Sequence, residues 1–272
     1  MAINNTENVT AKAADVVEDK VNGTESKVNA DGEMTKDTVN GTENGTKGTG
    51  KQTSEEEVQG DKKAENEVKK EEEVAVETEQ KTGVSFPVKL GDGKKLLSVG
   101  LRKKSMLGMG VKVYAFGMYG DNEKMKEVLK SKIGKAPAKP TKEMYEVAID
   151  SDVEMTVKLV IVFSNLTMSM VRKNFDEGLG ASIKKLTGGK KNDELANKVM
   201  GSASDNIKLT TGSVIEISRL PGYILQTKVM DEEVSKVESE LLCRAFIYMY
   251  LGEDPFDKEA KEKFGMSLLS LF

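Results

Sequence analysis

The sequence predicts an α+β fold in which an antiparallel β-sheet is layered with α-helices. Three observations indicate this class. Short glycine-rich turns at residues 91–94 and 105–110 join neighbouring apolar stretches, which is typical of antiparallel strands. Every second residue of 152–163 is apolar, as in a strand with one buried face. Residues 165–186 repeat apolar side chains at helical spacing, which predicts a long amphipathic helix against the sheet.

The chain divides by composition into a tail, residues 1–82, and a domain, residues 83–272. The tail carries 20 acidic and 11 basic residues, and the first aromatic side chain of the whole chain is Phe86. A segment without aromatic residues buries too little apolar surface to offset the entropy lost on ordering. We therefore expect an acidic, disordered, low-complexity tail followed by one domain large enough for a single core.

The first half of the domain predicts a β-rich region closed by one helix. Asp121 is a predicted N-cap of that helix and Gly134 follows its end, as these residue types commonly do. The predicted elements are strands at 83–90, 96–103 and 111–119, a helix at 121–134 and a loop at 135–142.

The second half alternates strands and helices. The pair Pro221–Gly222 predicts a hairpin turn between two apolar stretches, and Asp231 is the predicted cap of a helix that runs to about Leu251. The remaining predicted elements are a strand at 152–163, a helix at 165–186, a polar helix at 191–202 and a short helix at 256–265.

Composition excludes several classes of function. The chain has no His, no Trp and a single cysteine, Cys243, so imidazole catalysis, His-ligated metal sites and intrachain disulfides are excluded. We expect no metal and no cofactor, and a buried thiol at Cys243. The weak positive charge of the domain gives no indication of nucleic-acid binding. No apolar stretch is long enough to span a membrane, and without an evident signal or transit peptide the sequence favours the cytoplasm.

The stretch 101–119, LRKKSMLGMGVKVYAFGMY, contains an Arg and a Tyr within a predicted hairpin. If the turn centres on Gly108, Arg102 and Tyr114 are direct cross-strand neighbours with Cβ atoms about 5 Å apart. Alternation puts Lys112, Phe116 and Met118 on the same face. A guanidinium fork and a phenol projecting from an apolar wall suit a carboxylate attached to a hydrocarbon chain. The alternative is that Arg102 begins a solvated strand end and Tyr114 is an ordinary core residue.

The chain resembles the chalcone isomerase superfamily over residues 83–272. The similarity lies in TGVSFPVKL, in LLSVGLRKKSMLGMGVKVYAFGMY and in SELLCRAFIYMYLGEDPFDKEAKEKFG, and it is greatest to the plant fatty-acid-binding branch. The resemblance implies an open-faced sheet packed against helices. It also implies that Arg102 and Tyr114 hold a fatty-acid carboxylate. For the location, the resemblance implies the chloroplast stroma, whereas the N-terminal sequence does not resemble a transit peptide and favours the cytoplasm.

Departures from the catalytic members of that superfamily imply that this chain is not an enzyme. The isomerases usually have Thr at the position of Tyr114. They also carry a Tyr and an Asn, seven residues apart on the following helix, which orient a flavonoid and a water. Met170 and Glu177 occupy those two positions here. The positive site remains, but the polar relay that cyclisation requires is missing.

We therefore expect non-catalytic binding of a medium- or long-chain fatty acid in support of fatty-acid metabolism or storage. Arg102 and Tyr114 would hold the carboxylate, and Phe116, Met118 and Phe163 would line the acyl chain. Two alternatives stay open: a chalcone–flavanone isomerase, and an auxiliary partner of flavonoid-pathway enzymes that docks through the tail. The sequence identifies no protein partner.

Overall fold

The computed structural model describes residues 75–106, 109–164 and 166–272. In chain order the strands are β1 (Val76–Glu79), β2 (Val84–Pro87), β3 (Lys95–Met106), β4 (Met109–Gly120), β5 (Met155–Ile161), β6 (Leu166–Thr167), β7 (Lys208–Leu209), β8 (Val214–Leu220), β9 (Ile224–Val229) and β10 (Glu232–Glu238). The helices are α1 (Asn122–Lys132), α2 (Lys142–Asp150), α3 (Met168–Leu186), α4 (Asp193–Ala196), α5 (Glu240–Leu251) and α6 (Lys258–Leu269).

The main sheet has six strands in the order β10-β9-β8-β5-β4-β3, and all neighbouring pairs are antiparallel. The predicted hairpin between β8 and β9 turns where expected, and Gly222 and Tyr223 both have positive φ there. The α+β class with an antiparallel sheet is therefore confirmed.

Helices pack against one face of this sheet and enclose the main core. The alternating side chains of β5 enter that core, as predicted, and are joined by most of α5. A smaller cluster on the other face contains Val99, Ala115 and Tyr119, covered by Phe86 of β2. The sheet therefore has a helical layer on one face and a small hairpin, β1–β2, on part of the other.

The predicted domain boundary at residue 83 is too late, because β1 lies within the segment assigned to the tail. Val76–Glu79 pairs with Val84–Pro87 in an antiparallel hairpin. The buried Glu79 carboxylate holds the turn by accepting hydrogen bonds from the Lys81 amide and the Thr82 hydroxyl. Composition did not predict this strand, because pairing with β2, and not the apolar content of its own residues, orders it. The rest of the predicted tail, residues 1–74, lies outside the described residues.

Local capping signals fix the helix starts. The Asp121 carboxylate accepts from the Lys124 amide and begins α1, as predicted. Thr167 caps α3 in the same way, so this helix begins at Met168 and not at Asn165. The predicted helix at 191–202 is reduced to the single turn of α4.

Two further predictions differ from the structure. Residues 142–150 form a helix, α2, that the sequence analysis did not identify. The helix predicted from Asp231 is wrong over its first third, because 232–238 form strand β10 and α5 begins after the Ser239 cap. Apolar residues three positions apart, at 234 and 237, are spaced as in a helix. Strand β10 brings both to the main core because its register shifts by a β-bulge between Glu233 and Ser235.

The expectation of a buried thiol at Cys243 is confirmed. Cys243 is fully buried, and burial raises the pKa of its thiol to about 12. The last apolar side chains of the chain pack onto the main core. Within the described ranges, no helix combines the length and apolar character needed to cross a membrane.

Candidate functional site

Strands β3 and β4 bring Arg102 and Tyr114 directly opposite each other, as the sequence predicts. The register supplies this pairing by a different route, however. Nearer the turn, Lys103 pairs with Lys112 and not with Val113, which is the partner that a turn centred on Gly108 predicts. Val113 is the extra residue of a β-bulge, and it restores the predicted register from Arg102 toward Gly100.

The bulge also changes which side chains share the site. Val113 and Tyr114 are consecutive, yet both belong to the main core. Lys112, which simple alternation puts beside Tyr114, instead donates to the Lys81 carbonyl. The bulge therefore gives Tyr114 an apolar neighbour and removes a cation from the site.

A cavity of about 20 Å³ lies between this hairpin and α3, and we call it the Arg102 cavity. That volume is close to the space one water molecule needs. Its lining residues are Arg102, Lys104, Val113, Tyr114, Val171, Asn174, Phe175 and Phe256.

Phe256 covers the Arg102 guanidinium. The Arg102 Cζ lies 3.7 Å from the centroid of the Phe256 ring, a cation–π contact that replaces part of the lost hydration. Phe256 belongs to the EDPF segment between α5 and α6. The sequence analysis put Phe256 at the start of the predicted helix at 256–265, whereas α6 begins at Lys258. It missed the contact because no local pattern connects Phe256 to Arg102.

Two phenols lie beside the guanidinium. Burial raises the pKa of Tyr114 to about 12, against the opposing influence of Tyr250 and Arg102. Burial also raises the pKa of Tyr250, with the neighbouring Tyr114 adding to the effect. Both phenols are therefore neutral donors at ordinary pH. The buried Tyr250 hydroxyl has no hydrogen-bond partner among the described residues.

Lys104, Asn174 and Glu177 form a polar cluster at the α3 side of the site. The Lys104 ammonium donates to the Asn174 side-chain oxygen and lies 3.0 Å from the Glu177 carboxylate. Asn174 in turn donates to the Met170 carbonyl. Asn174 lies three residues after Val171 and one before Phe175, so helical spacing could have placed it in the site.

The other predicted site residues lie outside the Arg102 cavity. Phe116 is buried behind Tyr114, with ring centroids 6.5 Å apart, and Met118 lies further along the same core face of β4. Phe163 and Met170 pack at the edge of the main core, and neither lines the cavity. As acyl contacts, Phe116, Met118 and Phe163 stay predictions.

An antiparallel sheet with a helical layer on one face and a cationic cavity between them is the architecture of chalcone isomerase-like proteins. The chain belongs to this family: the family model described as chalcone isomerase-like matches residues 91–264. The predicted family and its fold are thus confirmed.

Similar proteins group the chain with the non-catalytic members of the family. It is 64% identical over 200 residues to Chalcone isomerase-like protein 1 of Humulus lupulus, covering 73% of this chain and 94% of that protein. It is 40% identical over 190 residues to Fatty-acid-binding protein 1 of Arabidopsis thaliana, covering 68% of each. The crystal structure of an Arabidopsis thaliana fatty-acid-binding protein matches 72% of this chain and 98% of its own, with 38% identity and a TM-score of 0.67.

Proposed function

We propose that the protein binds a medium- or long-chain fatty acid, with the carboxylate held by Arg102 and Tyr114, without catalysing a reaction. The observation that carries the proposal is the pairing of a guanidinium and a neutral, buried phenol across the β3–β4 hairpin. A relative that is 40% identical over 190 residues is named for fatty-acid binding, which supports the same ligand class.

The chemistry of the site fits a carboxylate. The guanidinium fork of Arg102 can donate two parallel hydrogen bonds to the two oxygens of one carboxylate. Tyr114, whose pKa is about 12, keeps its proton and donates a further bond. The Tyr250 hydroxyl is buried next to Tyr114, without a hydrogen-bond partner among the described residues, and Tyr250 itself does not line the cavity.

An acyl chain would supply most of the affinity. Burying a twelve-carbon tail contributes roughly 8 kcal/mol at about 0.8 kcal/mol per methylene. The loss of translational and internal freedom on binding offsets part of this gain. Micromolar affinity is therefore compatible with a carboxylate contact that contributes only modestly.

Removing the guanidinium tests the head-group site. We expect Arg102→Ala to weaken laurate binding at least about 30-fold, since truncating one member of a desolvated charge pair costs about 2 kcal/mol or more. Tyr114→Phe should weaken it about tenfold, the value of one hydrogen bond to a charged group. Calorimetry on delipidated full-length protein gives both values.

Lys103→Ala is the matched control, because Lys103 is an exposed cation adjacent to Arg102. Its affinity for laurate should stay within about twofold of the parent, as expected for a solvated charge. Undiminished laurate binding by Arg102→Ala would refute the assigned site, and no binding of any fatty acid by the parent would refute the proposed function.

The affinity should depend on pH through the ligand. Pairing with Arg102 favours the ionised carboxylate, so the pKa of the bound carboxyl lies below that of the free acid. Binding is then full above the free carboxyl pKa, about 4–5, and is lost as the pH falls below that value and through the lower pKa of the bound carboxyl. Because Tyr114 has a pKa of about 12 and the chain has no His, we expect constant affinity from about pH 6 to 9 in a displacement titration. A loss of affinity centred near pH 7 would contradict this assignment.

A further inference from the structure

We infer that Phe256 is a displaceable gate: when a carboxylate pairs with Arg102, the attached alkyl chain displaces the ring, and the ring's movement opens the cavity into a groove that receives the acyl chain. This inference rests on the proposed binding of fatty acids at Arg102. It adds the route of the acyl chain and the residue that controls access to it.

The Arg102 cavity cannot enclose an acyl chain as it stands. Its volume of about 20 Å³ leaves room for about one water molecule. Any alkyl chain attached to a carboxylate at Arg102 must therefore displace at least one wall of the cavity.

Among the walls of the cavity, Phe256 is the best placed to move. Val113 and Tyr114 belong to the sheet, and Val171 and Phe175 are buried along the inner face of the long helix α3. Phe256 is only half-buried and lies in the non-helical connection between α5 and α6. Its movement disturbs no strand pairing and no helix.

The backbone around Phe256 is held at two points, so we expect the gate to open by rotation of the side chain without movement of the backbone. The Phe256 amide donates to the Met249 carbonyl at 3.0 Å. The next residue, Asp257, accepts from the Leu101 amide of β3 at 2.9 Å and also caps α6. These bonds fix the segment next to Arg102, and the gate opens when the ring turns about its own side-chain bonds, away from its contacts with Tyr250 and Gly178.

The same ring separates the cavity from a second space. A groove of about 150 Å³ lies between α3 and α5, and Phe256 lines both it and the Arg102 cavity. We call it the α3–α5 groove. Its lining residues are Gly178, Ala181, Ser182, Lys185, Tyr248, Met249, Asp254 and Phe256.

The floor of the α3–α5 groove suits an alkyl chain. Gly178 lets α3 approach α5 closely: a Cβ there would lie 2.7 Å from the Met249 sulfur and 3.2 Å from the Phe256 Cζ. Small residues and an adaptable thioether provide an apolar surface next to the ring, while Lys185 and Asp254 line the same groove with charged groups. A chain that passes the gate therefore continues along the groove, and its far end can reach solvent.

The pairing of the carboxylate with Arg102 provides the driving force. The carboxylate satisfies the edge of the guanidinium through two charge-assisted hydrogen bonds, which an aromatic ring over its face cannot make. The alkyl chain attached to the carboxylate then needs the space that the Phe256 ring occupies. The displaced ring stays close to the first methylenes of the ligand. The carboxylate is therefore required for opening, and an uncharged ester of the same length should not open the gate.

Phe256→Trp tests the gate directly, because the chain contains no other Trp. We expect saturating laurate to shift the indole emission to longer wavelength and to increase its quenching by acrylamide, while methyl laurate changes neither. Phe272→Trp, at a half-buried position on the main core that lines neither space, is the control and should not respond.

Two outcomes of this experiment have different meanings. Laurate binding by the Phe256→Trp protein, measured by calorimetry, with an unchanged or blue-shifted indole emission would overturn the gate. Absence of laurate binding by the parent would instead refute the proposed function.

A second variant tests the route of the acyl chain. Ala181 is exposed on α3 and lines the groove, so Ala181→Phe fills the groove without disturbing the core. We expect at least a tenfold loss of affinity for palmitate and an unchanged affinity for octanoate. Lys184→Phe, exposed on the same helix but outside the groove lining, should change neither affinity. Equal effects of Ala181→Phe on both acids, or no effect on either, would overturn the route.

Discussion

Replacing Arg219 with Met is expected to lower the free energy of unfolding by about 3–5 kcal/mol, because it leaves buried carbonyl groups without donors. Arg219 is fully buried on β8. Its guanidinium donates to the Val153, Ile149 and Ala148 carbonyls at 2.8, 2.9 and 3.0 Å. Chemical unfolding followed by circular dichroism measures the loss.

The size of this effect follows from the position of those carbonyls. Ala148 and Ile149 lie in the last turn of α2, where carbonyl groups have no partner within the helix. That turn contains no basic residue of its own, so Arg219 supplies the cation that a helix C-terminus favours. Burial lowers the pKa of Arg219 to about 10, which still leaves the group charged at neutral pH.

Two further variants provide stability losses with which the loss from Arg219→Met can be compared. Arg219→Lys keeps the charge but has no planar fork, so we expect it to lose about half as much stability. Arg172 also donates to backbone carbonyls, those of Gly201 and Ala203, but its side chain is partly exposed. Arg172→Met should therefore cost only about 1 kcal/mol, since water can replace the lost bonds. An Arg219→Met protein within about 1 kcal/mol of the parent would contradict the argument.

Replacing Phe116 with Ala is expected to cost about 3–5 kcal/mol of stability, as is usual for loss of a buried aromatic ring. The side chain is 1% exposed, and its ring centroid lies 5.0 Å from that of Tyr250. It also fills the space over its cross-strand partner Gly100, where a Cβ would lie 2.5 Å from Phe116 Cζ.

Phe163→Ala is the matched control for Phe116→Ala. The same atoms are removed, but Phe163 is half-buried at the edge of the main core. We expect a loss of about 1 kcal/mol from this variant, because water can occupy the space. Comparable losses from the two variants, measured by denaturant unfolding, would mean that Phe116 is not the core residue that its burial indicates.

Elements with a strong local signal could be predicted from the sequence. The Asp121 cap and the hairpin turn at Gly222 follow from side-chain and backbone chemistry within a few residues. The even alternation of β5 and the apolar stripe of α3 indicate which face of each element is buried. These patterns, together with the long match to a known family, were enough for the fold class.

Elements that depend on distant partners could not be predicted in this way. Residues 232–238 carry apolar side chains three positions apart, which is a helical spacing, and pairing with β9 through a β-bulge makes them a strand. The strand β1 exists because it pairs with β2. In the candidate site, Phe256 comes from a loop far along the chain from Arg102, and no local pattern links the two.

The Arg102–Tyr114 pair shows which features of the site the sequence predicts and which depend on the tertiary structure. The sequence by itself determined that two strands meet in a hairpin with these residues opposite each other, because turn and alternation are local properties. The tertiary structure decided the rest: the bulge at Val113, the ring of Phe256 over the guanidinium, and the buried phenol of Tyr250 beside it. These arise from packing between elements far apart in the chain, where the contacts depend on the folded core and not on neighbours in sequence.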